Sequence, residues 1–110
     1  MISDRVLNLI ATATRDRSTK LDLSGQNLTE LPKSIGSLNR LRKLYLVLNN
    51  LSELPEEIGN LTRLNKLRLS NNQLKALPET IGQLSRLKYL DLSENLISEL
   101  PQSIQRFACL

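Results

Sequence analysis

Proline returns at a fixed interval in this chain. Pro32, Pro55, Pro78 and Pro101 each stand 23 residues after the one before. A leucine precedes every one of them (Leu31, Leu54, Leu77, Leu100), and an isoleucine follows three residues later (Ile35, Ile58, Ile81, Ile104). Gly36, Gly59 and Gly82 come next in the first three units, and Gln105 breaks the series. A period of this length is the mark of a stacked repeat, in which each unit is one supersecondary turn that cannot bury its apolar edge alone. At 110 residues the chain has room for one such domain and no second folded unit. Its apolar residues fit a stack as well. Leucine dominates while Phe occurs once, Tyr twice and Trp never, so the core has to be built from repeated aliphatic layers.

The spacing inside a unit assigns each segment. Leu44-x-Leu46 and its equivalents at 21/23, 67/69 and 90/92 alternate with period two, as a short half-buried strand does. Asn49, Asn72 and Asn95 follow three residues after the second strand leucine. A carboxamide donates and accepts at once, so it can satisfy backbone groups where the strand leaves the sheet, and stacked copies would form a ladder. The Leu-Pro step ends any strand, because proline donates no hydrogen bond. Pro-x-x-Ile-Gly-x-Leu suits a single helical or 3₁₀ turn, with proline near its start and glycine at its end. Leu41, Leu64 and Leu87 then lead the chain inward to the next strand. The expected fold is an α/β solenoid, a right-handed superhelix of four coils (21–43, 44–66, 67–89, 90–110) within residues 20–110. Its parallel sheet lines the concave side, because the turn side of each coil is bulkier than the strand side.

Leu41-x-x-Leu44-x-Leu46-x-x-Asn49-x-Leu51 resembles the leucine-rich-repeat consensus, and the next two units match it too. The ending Leu-Pro-x-x-Ile-Gly-x-Leu-x-x-Leu is similar to the 23-residue intracellular class of Ras-pathway scaffolds, plant Ras-group proteins and many bacterial proteins. An N-terminal helix running into Lys20–Pro32 also looks like the start of the repeat region in Roco-type GTPases. The resemblance covers about residues 18–110. It implies a protein-binding module, or the N-terminal regulatory fragment of a larger Roco-type GTPase, with a small GTPase or a domain of the parent chain as partner. Fold alone does not fix which. The first unit departs from the pattern at Ser18 and Gln26, the last at Leu96, Gln105 and Phe107, as terminal units commonly do.

Residues 4–16 read as an amphipathic helix capped by Ser3 or Asp4, with Val6, Ile10 and Ala13 on one face and Leu7 alongside. Within residues 1–19 it is expected to cover the open edge of the first coil rather than a membrane, since it lacks a dense basic face and aromatic anchors. At the other end no polar segment follows to cover Leu92, Ile97, Leu100, Ile104 and Phe107. Either a longer chain or another molecule is expected there, most simply a second copy burying Ile104, Phe107 and Leu110 in a two-fold dimer.

Several function classes lose their chemistry. There is no histidine, hence neither the commonest general acid/base nor the commonest metal ligand. The single cysteine, Cys109, has no partner for a disulfide or a thiolate zinc site and reads as incidental. No phosphate-binding glycine loop appears, and no nucleophile has a base nearby, so no enzyme, metal or cofactor is expected. The start lacks a secretory signal pattern and no apolar run has transmembrane length; with the sparse cysteine, this favours a cytoplasmic home.

What remains is recognition. Residues between the strand leucines should project from the concave face in four columns: Lys20, Lys43, Lys66, Tyr89; Asp22, Tyr45, Arg68, Asp91; Ser24, Val47, Ser70, Ser93; and Gly25, Leu48, Asn71, Glu94. The second unit carries Tyr45, Val47 and Leu48 where its siblings are mostly polar. With Arg68 and Tyr89 these are residue types that concentrate binding energy, and Lys43 and Lys66 complete the candidate protein-binding surface. A basic stripe (Arg40, Arg63, Arg86) and an acidic one (Glu30, Glu53, Glu99, then Glu56 and Glu79) should run along different edges. The net charge of +4 raises nucleic acid as a partner. The scarcity of aromatics and the acids among the concave lysines argue against it.

Overall fold

The computed structural model describes residues 2–104. A helix α1 (Asp4–Arg15) leads into four strands, β1 (Lys20–Asp22), β2 (Lys43–Tyr45), β3 (Lys66–Arg68) and β4 (Tyr89–Asp91). They form one parallel sheet in chain order, with Leu21, Leu44, Leu67 and Leu90 in register. Between strands the chain returns through 3₁₀ turns at Lys33–Ser37, Glu56–Asn60 and Glu79–Gln83, and a fourth lies at Gln102–Ile104. Each turn is closed by the isoleucine N–H donating to the proline carbonyl three residues back, at 3.0–3.1 Å. The proline, extended at φ near −70°, sits immediately before the turn. The architecture is the expected solenoid.

The strand leucines, the turn isoleucines and the returning leucines of all four coils meet in one aliphatic core, and most are fully buried. The carboxamides hold the coils in register. Asn49 Nδ2 donates to the carbonyls of Leu46 and, one coil earlier, Leu23, while its Oδ1 accepts from Gln26 N and Leu28 N. Asn72 Nδ2 donates to Leu69 O and Leu46 O, and its Oδ1 accepts from Leu51 N. Asn95 repeats the pattern with Leu92 O, Leu69 O and Leu74 N. The ladder is therefore one of amides alternating with shared carbonyls: Leu46 O serves Asn49 and Asn72, and Leu69 O serves Asn72 and Asn95.

Three features differ from the sequence reading. Leu7 is 40% exposed, and Leu9 packs on the core beside Val6, Ile10 and Ala13 instead. At about 100° per residue Leu7 lies too far round the helix from the centre of that face. The turn glycines are needed for room rather than for a helix end. A Cβ on Gly59 would lie 2.7 Å from Thr80 O and 2.8 Å from Thr80 Cβ in the next coil, so the turns stack too closely to admit a side chain. Third, Gly25, Leu48, Asn71 and Glu94 all have positive φ, between 55° and 67°. The column is a left-handed step that swings the chain out of the sheet just before the asparagine position.

Ser3 caps α1 as expected, its Oγ accepting from Val6 N at 3.3 Å. At the far end Leu92 and Ile104 are buried in the core and Ile97 and Leu100 pack against it half-covered, so Ile104 is closed off within its own chain. Gln105, Phe107, Cys109 and Leu110 lie outside the described residues.

Asn72→Ala strands the buried Leu51 N–H and should lower stability by about 3 kcal/mol, as losing the centre of a buried polar network does. Asn71→Ala should cost only about 1 kcal/mol, from placing alanine in the left-handed region, and Asn71→Gly almost nothing. Urea midpoints check the order; equal losses for Asn72→Ala and Asn71→Ala would refute the register. On the turn side, Thr80 Oγ1 donates to Glu56 O at 2.8 Å and Ser103 Oγ to Glu79 O at 3.2 Å. Glu57 occupies the same position one coil earlier and has no hydroxyl. Glu57→Thr should raise stability by about 0.5–1 kcal/mol, one added hydrogen bond, seen as a higher urea midpoint; an unchanged or lowered midpoint would contradict the pairing.

Candidate functional site

In a strand alternate side chains face opposite ways, so the buried leucines force residues 43, 45 and 47 and their equivalents onto the open face of the sheet. Strand register then aligns them: Lys20, Lys43, Lys66 and Tyr89 in one row, Asp22, Tyr45, Arg68 and Asp91 in the next. Neighbours in a row are about 4.8 Å apart, so side chains from different coils touch. Lys20 Nζ lies 5.4 Å from the ring centre of Tyr45, and Lys66 Nζ lies 5.1 Å from that of Tyr89. Both are cation–π distances. Arg68 reaches Asp91 at 3.5 Å.

The acids in these rows do more than balance the lysines. Asp22 Oδ1 accepts from Ser24 N at 3.0 Å, and Asp91 Oδ1 accepts from Ser93 N at 3.1 Å and Ser93 Oγ at 2.7 Å. They cap the left-handed step in the first and last coils. Burial of Asp91 alone would raise its pKa, but the Ser93 hydrogen bonds and the neighbouring Arg68 guanidinium outweigh it and hold the carboxyl below its ordinary value. Asp91 is thus an anion that fixes Arg68. The Nε of Arg68 is buried with no acceptor among the described residues.

The second coil has no such cap. In place of an aspartate it has Tyr45, half-buried, followed by half-buried Val47 and by Leu48, which is 63% exposed with φ +59°. Val47 N donates to Ser24 Oγ of the preceding coil at 3.1 Å, so this segment is pinned while its apolar side chains stay open to solvent. Tyr45, Val47, Leu48 and Arg68 form one neighbourhood. Lys43 is exposed beside it, and Tyr89, 48% exposed, stands with half-buried Lys66 one row across.

The left-handed column was missed in the sequence, although Gly25 and Asn71, two residue types that adopt this conformation readily, stand directly above and below Leu48. Of the basic stripe expected from Arg40, Arg63 and Arg86, the last two line one open groove beside the sheet, joined by Arg42 and Lys88, which the sequence did not single out, while Arg40 lines a separate recess beside α1. Among the described residues no group of three or more His, Cys, Asp or Glu side chains could hold a metal, and no helix is long and apolar enough to cross a membrane.

No curated protein matches the chain. Among solved structures it is similar to the leucine-rich repeat domain of the type III effector XCV3220 (XopL), with 30% identity over 89% of this chain and a TM-score of 0.79. It is also similar to a leucine-rich-repeat protein of Leptospira interrogans, LIC12759, with 30% identity over 87% of this chain and a TM-score of 0.52. The matched part makes up 35% and 37% of those two chains, so this chain spans little more than a third of their length. The leucine rich repeat family profile matches residues 18–74 and 62–110. With four in-register coils and matches covering residues 18 to 110, the chain belongs to the leucine-rich-repeat family.

Proposed function

We propose that this chain is a non-catalytic module that binds a protein partner on its concave sheet face and works in the cytoplasm. Leucine-rich-repeat domains are generally protein-interaction modules. The observation that carries the reading to a particular surface is Leu48. Left-handed backbone costs a non-glycine residue about 1–2 kcal/mol, and Leu48 buries little within its own chain in return. Residues held in such conformations concentrate where a ligand is clamped. Leu48, Val47 and Tyr45 supply the apolar centre of the contact, and Arg68, already oriented by Asp91, supplies its directional hydrogen bonds. Lys43, Lys66 and Tyr89 flank the centre and set register and encounter rate. The coils form a stiff platform, so a partner meets these groups at little ordering cost. Among the described residues both tyrosines already lie against lysines, which leaves no bare aromatic stack there for nucleic-acid bases.

The finer placement in the 23-residue Ras-group class, with a small GTPase as partner, rests on the Leu-Pro-x-x-Ile-Gly spacing. A second reading makes the chain the N-terminal regulatory segment of a longer Roco-type GTPase. It is favoured by the helix that runs into Lys20–Pro32, and the downstream reading frame tests it: a G-x-x-x-x-G-K-[ST] motif would support it and a stop codon would refute it.

With a partner isolated on the intact domain, Tyr45→Ala and Arg68→Ala should each weaken binding by roughly 1–3 kcal/mol, as hot-spot truncations do. Lys33→Ala and Glu57→Ala on the turn side should stay close to neutral. Leu48→Asn, which copies its sibling Asn71, should weaken binding while raising stability to urea by about 1 kcal/mol. Loss of binding in the turn-side variants, with Tyr45→Ala and Arg68→Ala retaining it, would place the contact on the turns.

A further inference from the structure

Residues 42, 65 and 88 stand immediately before β2, β3 and β4. Lys66 N and Asn65 N both donate to Arg42 O, and Tyr89 N and Lys88 N both donate to Asn65 O. The pairing of the sheet therefore continues one residue past each strand and stacks Arg42, Asn65 and Lys88 in a column. Two residues earlier come Arg63 and Arg86, separated from Asn65 and Lys88 by the buried Leu64 and Leu87. Alternation about a buried leucine sends both flanking side chains outward. The result is an open groove of about 430 Å³ lined by Arg42, Arg63, Asn65, Ser85, Arg86 and Lys88.

Four cations and no carboxylate line this groove. The ion pairs among the described residues are Arg15–Asp16 and Arg68–Asp91, and neither involves it. The acids of the turn side gather elsewhere, with Glu30 and Glu53 around a separate recess beside Pro32 and Pro55. Like charges one or two strand spacings apart raise each other's energy, and a multivalent anion seated among them relieves that cost. Guanidinium forks at Arg42, Arg63 and Arg86 match carboxylates two hydrogen bonds at a time. The groove holds no aromatic side chain on which a nucleic-acid base could stack. It also adjoins the proposed recognition face, because Arg42 precedes Lys43, Asn65 precedes Lys66 and Lys88 precedes Tyr89.

We infer that this groove docks an acidic segment, a run of Asp and Glu carboxylates, on the protein partner. The inference rests on the reading of the chain as a protein-binding module but not on which concave residues form the apolar contact.

A fluorescent hexaglutamate peptide titrated against the whole chain at low salt tests it. The peptide should bind, more weakly as salt rises, and Arg63→Glu with Arg86→Glu should weaken it by about tenfold or more. Lys33→Glu with Lys75→Glu makes the same change in net charge at exposed positions away from the groove, and should alter binding by less than about twofold. Should the first pair prevent folding, Arg63→Gln with Arg86→Gln gives the same comparison at smaller amplitude. Tyr45→Ala should leave peptide binding unchanged, so failure of the groove and failure of the concave centre are read separately. No binding by the parent chain, equal loss in the two charge-reversed pairs, or tighter binding of an oligothymidylate than of the peptide would each overturn the proposal.

Discussion

The carboxamide between coils is the interaction on which the rest of this structure depends. A three-residue strand cannot fix its own register, and four coils of interchangeable leucines could slide past one another with little loss of apolar burial. Asn49, Asn72 and Asn95 remove that freedom. Each bonds to carbonyls in its own coil and in the coil before, and each accepts a backbone N–H that would otherwise be buried without a partner. A slip by one residue would leave those donors unsatisfied, at about 1–3 kcal/mol apiece. The aliphatic core supplies most of the driving force and the amides decide the geometry it settles into.

That geometry produces the surfaces. Because coils stack in register, a residue type repeated every 23 positions becomes a row, and a residue that breaks the repeat becomes a local feature on an otherwise regular face. Tyr45, Val47 and Leu48 are such a break. Their siblings Asp22 and Asp91 cap the left-handed step with a carboxylate, whereas the second coil leaves its step uncapped and apolar. Arg68, against Asp91, stands beside them. On the lip of the sheet the repeat contributes Arg63 and Arg86, each before a returning leucine, and Arg42 and Lys88, each after one, complete the basic groove.

Most of the fold could be read from the sequence, since period-two leucines, the Leu-Pro step and the asparagine position each have one physical meaning that the others support. What escaped depends on distances between coils that a linear pattern does not contain. Glycine after the turn isoleucine looked like a helix end, but it is the close approach of Thr80 that excludes a side chain at Gly59. Leu7 and Leu9 are equally apolar, and only the direction in which α1 docks distinguishes them. Of the residues singled out for binding, the outward placement of Lys43, Tyr45, Val47, Lys66, Arg68 and Tyr89 was legible from alternation, whereas Leu48 shares the parity of the buried Leu44 and Leu46 and is exposed only because its backbone is left-handed. The ring contacts of Lys20 and Lys66, the anchoring of Arg68 and the backbone strain at Leu48 were not legible, because they join side chains about one repeat apart or depend on a dihedral.

Amide hydrogen exchange on the native chain tests the organising role of the carboxamides most directly. The N–H groups of Leu28, Leu51 and Leu74, which donate to Asn49, Asn72 and Asn95, should exchange as slowly as the amides of Leu46 and Leu69, which bond to the next coil just past β2 and β3. In Asn72→Ala the protection of Leu51 should collapse first. Fast exchange at these three leucines in the parent chain, comparable to exposed turn amides, would show that the carboxamides do not hold the coils together.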